Sequence, residues 1–234
     1  PHNTGNTFYV YGTFPIFLVR YVAEWLDQSG YSQVYLVGRA FSAVFDLGII
    51  VLVYLIACRL FHKSEIGLLG ALLYGWATLP IQQSHFFTVD TFTNFFITAA
   101  IYVVICIFQA DSVFQERGKD MLRSKDFWNH VLFGVIVGLA AASKISAAVS
   151  AVLLSLAIVL RDYNDLKSSP ANRSQAFWKI MVAVLSFFII FRVFQPYAFQ
   201  GPGFFGILPN PKWLDNLREL SLLSSGDTYY PPSL

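Results

Sequence analysis

Long apolar runs separated by short polar segments constrain this chain more than any motif does. Residues 34–60, VYLVGRAFSAVFDLGIIVLVYLIACRL, meet charge only at Arg39, Asp46 and, near the end, Arg59. That length suits a helix crossing a bilayer with some tilt. Residues 66–81 form a shorter, Gly-rich run with Pro80 near its end, and residues 91–108 form a third. Residues 131–160 are apolar except at Ser143-Lys144-Ile145-Ser146. One straight helix over that stretch would overshoot a hydrocarbon core of about 30 Å, so two shorter helices turning near Lys144 fit better. Residues 180–194 make the last span, closed by Gln195-Pro196.

Composition agrees with the runs. Hydrophobic residues make up 56% of the chain and charged residues 13%, about half the charged share of a soluble domain. The fold class expected is all-α, a polytopic transmembrane helical bundle with an extracytoplasmic amphipathic helix. Residues 1–33 read as an extracytoplasmic loop with an interfacial helix at 16–25, its polar positions marked by Arg20, Glu24 and Asp27. Residues 34–198 read as the bundle, with about six helical segments, and 199–234 as an extracytoplasmic tail carrying an amphipathic helix at 212–223. The abundance of Phe and Tyr is expected in lipid-facing packing and interfacial belts. Cys58 and Cys106 fall inside apolar runs and read as small hydrophobes, not as a disulfide or metal framework.

Charge placement sets the orientation. Ten of the 16 basic residues fall in three connections, around Arg59 and Lys63, from Arg117 to Lys125, and from Arg161 to Lys179. The positive-inside rule puts those connections in the cytoplasm. The N-terminal segment, the His85 loop, the turn at Lys144 and the tail then lie outside. Basic residues spread between spans in this way give no surface for nucleic acid.

The off-pattern polar groups converge on that outer side. His85 and Asp90 occupy the gap in Ser84-His85-Phe86-Phe87-Thr88-Val89-Asp90-Thr91-Phe92. Lys144 sits at the hairpin turn, Arg39 one to two turns inside the first span, and Arg192, Gln195 and Tyr197 at the exit of the last. Asn3 and Asn6 lie in the N-terminal segment. Ionisable groups at a membrane boundary are costly and usually functional. One acid among several cations suits a substrate that carries a phosphate and reacts at a hydroxyl. Asp90 also suits the N-cap of the helix that follows it, a role compatible with chemistry. Asp46, mid-span, is expected to pair with a cation from another helix. A divalent metal beside Asp90 and His85 is left open by the sequence; no other cofactor is indicated.

The pieces Gly38-Arg39-Ala40-Phe41-Ser42, Gln82 through Phe92, Gly138-Leu139-Ala140-Ala141-Ala142-Ser143-Lys144 and Phe194-Gln195-Pro196-Tyr197 run through most of the chain in this order. Together they resemble GT-C-type membrane glycosyltransferases, in the bacterial branch similar to protein O-mannosyltransferases and aminoarabinose transferases. The resemblance implies inverting transfer of a sugar from a polyprenyl-phosphate carrier to an acceptor hydroxyl on the extracytoplasmic face of a bacterial plasma membrane. It implies that Asp90 is the acid of the second outer loop and that Lys144 contacts the carrier phosphate. His85, Arg39, Arg192, Gln195, Tyr197, Asn3 and Asn6 are then substrate-binding candidates. Its partners are the polyprenyl-phosphate-linked sugar, the lipid bilayer and additional protein subunits.

Members of that group carry their principal acid in a first outer loop after an initial helix. Pro1 falls inside what resembles that loop, so the chain reads as an incomplete one. A non-catalytic membrane scaffold subunit is therefore the competing reading, and an acidic pair upstream of Pro1 would separate the two. A transporter would need facing intramembrane acids or an inverted repeat. Only Asp46 meets the first demand.

Overall fold

The protein, seen in a computed structural model, is described over residues 11–110, 124–168, 170–201 and 203–225. Its frame is a set of helices that run alternately between two ends. Helix α1, Phe14–Trp25, precedes α2, Tyr31–Phe61, whose 31 residues extend about 46 Å. That is longer than the hydrocarbon core, so α2 projects beyond it or tilts. His62, in the left-handed region at φ 55°, ends α2.

The second apolar run is broken. Helix α3, Ser64–Gly75, and helix α4, Thr78–Ser84, meet at a 63° bend across Trp76-Ala77. Pro80 explains the restart. It has no N–H to continue the α3 ladder, yet it is tolerated in the first turn of a new helix. The remaining elements are α5 (Val89–Gln109), α6 (Lys125–Ser143), a 3₁₀ turn (Ile145–Ala151), α7 (Val152–Ser168), α8 (Pro170–Phe194) and α9 (Pro211–Ser225). Two-residue strands β1 (Phe199–Gln200) and β2 (Leu208–Pro209) pair antiparallel between α8 and α9. Among the described residues, five helical segments are long and apolar enough to cross a membrane, six with the bent α3–α4 pair.

Contacts fix the directions. Gly38 of α2 packs on Phe87 just before α5, whereas Arg59 near the end of α2 donates to the Gln109 side chain at the end of α5, 2.9 Å away. Chain direction reverses at Lys144, because Arg161 of α7 returns to Asp126 at the start of α6. The hairpin expected from the break at Lys144 is therefore present. Several boundaries differ from the sequence reading: α6 already begins at Lys125, and α7 runs on to Ser168. The last span begins at Pro170, a favoured first-turn residue, and so takes Lys179 into a helix; the tail helix begins at Pro211.

The aromatic residues also differ from expectation. Phe92 is fully buried and Phe14 and Phe96 nearly so. Phe45 meets Phe92 and Phe95 at centroid separations of 4.6 and 4.8 Å, and Phe14 meets Phe96 and Phe194 at 5.5 and 5.1 Å. Part of the Phe content is thus an internal core, not a lipid-facing coat. It locks α1, α2, α5 and α8 at one end, where such ring pairs add to simple area burial.

Helices α6 and α8 cross most closely at Gly134, where an added Cβ would stand 2.1 Å from the carbonyl oxygen of Ala183. Small residues that allow such approach are the usual glue of membrane helices. Gly134→Ala is expected to cost about 1–3 kcal/mol through overpacking. Thermal denaturation in nanodiscs would read this as a lowered melting temperature, and an unshifted one would show that the crossing tolerates a methyl group.

Candidate active site

Ser143 ends α6, and Lys144 takes an extended conformation (φ −153°, ψ 119°) before the 3₁₀ turn. The extended residue pairs as a β-bridge with Tyr11, and Gly12 N–H donates to the Ser143 carbonyl at 2.9 Å. Position 12 has to be glycine, since a Cβ there would lie 1.8 Å from the Ala142 carbonyl oxygen. Residues 11–13 are thereby laid across the hairpin turn. Thr13 continues the link: its N–H donates to Gln195 Oε1 at 2.8 Å, and its hydroxyl bonds the same oxygen at 2.9 Å and the Phe194 carbonyl.

The turn aims Lys144 at α5. Its Nζ lies 2.8 Å from Asp90 Oδ1, and the two side chains are 41% and 43% exposed. Both charges are accessible, so a ligand could reach either. Thr88, not Asp90, occupies the N-cap of α5, so the N-cap role fails; Asp90 sits in the first turn with its carboxylate committed to Lys144. The favourable field of the helix N-terminus still acts on the carboxylate there.

Beside Asp90 a cavity of about 280 Å³ opens between α2, the α3–α4 bend and α5. Asp46 lines it and accepts a hydrogen bond from the Tyr74 hydroxyl at 2.9 Å. The expected cation partner of Asp46 is therefore replaced by a phenol. Asp46 lies on α2 between Gly38, which packs on Phe87, and Gly48, which packs on Phe95. That places it about one turn inward of Asp90.

The other candidates separate from the Asp90–Lys144 pair in instructive ways. Gln195, 3% exposed, is consumed by Thr13. Arg192 donates to the carbonyls of Gly206 (2.8 Å) and Gly203 (3.1 Å) and stacks over Phe199, tying the tail to α8. The Tyr197 carbonyl accepts from Asn210 at 2.9 Å. These three residues hold the end of α8 to Thr13 and to the tail. His85 turns Nδ1 toward the Ile81 carbonyl, 2.6 Å away. Arg39 is exposed on α2. Asn3 and Asn6 lie outside the described residues. Among the described residues no three His, Cys, Asp or Glu side chains converge as a metal site.

Sequence reasoning missed a second polar centre at the opposite end. Asp126, near the start of α6, pairs with Lys179 of α8 at 2.5 Å and with Arg161 of α7 at 3.4 Å. Arg161 also forks onto Asp162 with two 2.8 Å bonds and donates to the Ile107 carbonyl of α5 at 2.7 Å. His130, fully buried, holds its Nδ1 2.7 Å from the Asp126 carbonyl. Three helices meet on the Asp126 carboxylate, and Arg161 ties in a fourth, α5, through the Ile107 carbonyl. The signal was present: Asp126 and His130 are four apart on one helix face, and Pro170 marks a helix start that carries Lys179 inside.

The all-α membrane bundle is the fold expected of the GT-C-type membrane glycosyltransferases that the sequence resembles. Comparison makes the assignment: the profile of the dolichyl-phosphate-mannose-protein mannosyltransferase family matches residues 13–200, and the chain belongs to that family. The fold is similar to the crystal structure of the Archaeoglobus fulgidus oligosaccharyltransferase, a complex with Zn and sulfate, with a TM-score of 0.63 at 19% identity. The match covers 92% of this chain and 26% of that one, so the chain spans about a quarter of the length of that structure. No curated protein matched.

Proposed function

We propose that the protein takes part in transfer of a sugar from a polyprenyl-phosphate carrier to an acceptor hydroxyl, with inversion at the anomeric carbon, on the extracytoplasmic side of the membrane. The observation that carries this reading is the half-exposed Asp90–Lys144 pair, 2.8 Å apart, whose acid also lines a cavity beside Asp46 and Asn94. The family's name supports it, as it states a dolichyl-phosphate sugar donor and a protein acceptor. Sidedness is supported by the basic residues at the other end, Arg59 and Arg161 among them.

The chemistry follows from charge. In the resting pair Lys144 and Asp90 neutralise one another. An arriving phosphodiester offers Lys144 a second anion and loosens its hold on the carboxylate. Asp90 then accepts the proton of the acceptor hydroxyl as its oxygen attacks the anomeric carbon. The bond from that carbon to the phosphate oxygen breaks, and the leaving polyprenyl phosphate gains one negative charge. A fixed ammonium stabilises that growing charge more than the ground state, which is the source of rate. The scaffold reading keeps the same geometry without turnover.

A transfer assay separates them. The full-length protein in proteoliposomes, given a labelled short-chain polyprenyl-phosphate hexose and a hydroxyl acceptor, is expected to release polyprenyl phosphate and form a product of inverted anomeric configuration. Absence of transfer across a panel of hexose donors would favour the scaffold.

A further inference from the structure

We infer that the cavity between α2, the α3–α4 bend and α5 is the subsite that holds the ring of the transferred sugar, and that Asp46 and Tyr74 select it by its hydroxyl pattern. The inference rests on the proposed transfer reading and deepens it.

The cavity's chemistry narrows the ligand. Its polar lining is Asp46, Tyr74, Gln83, Asp90, Thr91 and Asn94, two carboxylates among neutral donors and acceptors. No Lys, Arg or His lines it among the described residues, so it has nothing to hold a phosphate. Carboxylates and amides are the groups that accept from or bridge neighbouring hydroxyls. Gln83 already accepts from Thr88 at 3.1 Å, which keeps its amide nitrogen free to donate. Ile49 and Pro80 add apolar surface for the C–H face of a ring. At about 280 Å³ it lies near the lower bound of small-molecule sites, about 300–1,000 Å³. One sugar ring fits; a nucleotide does not.

Its location fits as well. Asp90 Oδ1 faces Lys144 while Asp90 also lines the cavity, so the acid stands between the cation and the space below. A phosphate drawn to Lys144 would direct the attached ring past Asp90 toward Asp46. The α3–α4 bend makes the space, because a straight helix would not set Tyr74 and Gln83 around one recess. A carboxylate at this depth in a membrane span is costly, and one hydrogen bond from Tyr74 at 2.9 Å satisfies only one of its oxygens. A polyol hydroxyl supplies the other.

The test uses the full-length protein in nanodiscs with short-chain polyprenyl-phosphate mannose, glucose and galactose, and with unglycosylated polyprenyl phosphate as competitor. Asp46→Asn is expected to raise KM for the preferred hexose donor about tenfold or more, as for a lost hydrogen bond to a charged group, and Tyr74→Phe and the exposed-site variant Asn94→Ala about two- to tenfold, as for neutral ones. They should also narrow the preference among the three hexoses. The Ki of unglycosylated polyprenyl phosphate should stay unchanged, a split that mere loss of folding cannot give. Unchanged KM and ranking in all three variants would overturn the assignment, as would a Ki rising in parallel with KM. Mn²⁺ binding abolished by Asp46→Asn with the sugar ranking intact would overturn it in favour of a cation site. No transfer by the wild type with any donor would instead overturn the parent reading.

Discussion

Asp90→Asn is expected to lower the turnover of sugar transfer by about 10²–10⁴-fold, the usual worth of a positioned general base. Its effect on donor binding should have the opposite sign. The carboxylate holds Lys144 at 2.8 Å, so removing its charge frees the ammonium for the carrier phosphate, and KM for the donor should stay level or fall. Lys144→Ala should behave as the mirror image, raising KM and slowing departure of the phosphate. Both side chains are more than a third exposed, so neither change should unfold the bundle. Steady-state kinetics on the two variants, with melting temperature as control, would show this. Transfer at the wild-type rate by both would remove the pair from the mechanism.

The largest effect on stability belongs to the other end. Asp126→Ala would leave Lys179, 8% exposed, without its carboxylate and strip Arg161 of one of its two acids. Removing one partner from a buried ion pair costs about 3–5 kcal/mol. A double replacement, Asp126→Leu with Lys179→Met, should recover most of that loss, because an apolar pair of similar volume avoids the burial of charge altogether. Denaturation in detergent micelles can compare the three proteins. A single variant as stable as the wild type would mean that water reaches the cluster.

The bundle was legible because lipid leaves one strong pattern, the long apolar run, and the spans followed it to within a few residues in most places. The exceptions have physical causes. Pro80 converted one run into two helices at a 63° angle, and the polar start of α8, from Pro170 to Lys179, hid its first turns. Pairing was less legible than placement. Lys144 and Asp90 could each be singled out as costly at a boundary, but their 2.8 Å contact depends on a fold-back fifty-four residues apart in sequence. Asp46 could be marked as anomalous, but its partner Tyr74 is a residue type that membrane interfaces use freely. Gln195 showed the reverse error: a polar residue at the right end of the right helix, yet turned inward onto Thr13.

The Asp126 carboxylate, shared by three helices, also bears on how the chain enters a bilayer. Taken alone, the segment Asn172–Phe194 carries Lys179 into lipid, where an ammonium near a helix centre raises the cost of insertion by about 2.5–3.5 kcal/mol. Chain order offsets that cost. Asp126 emerges from the ribosome before Arg161, and Arg161 before Lys179, so the acid is already at its depth when each cation arrives. The last span is thus delivered to a waiting counter-charge, and its biogenesis depends on the helix that opens the hairpin.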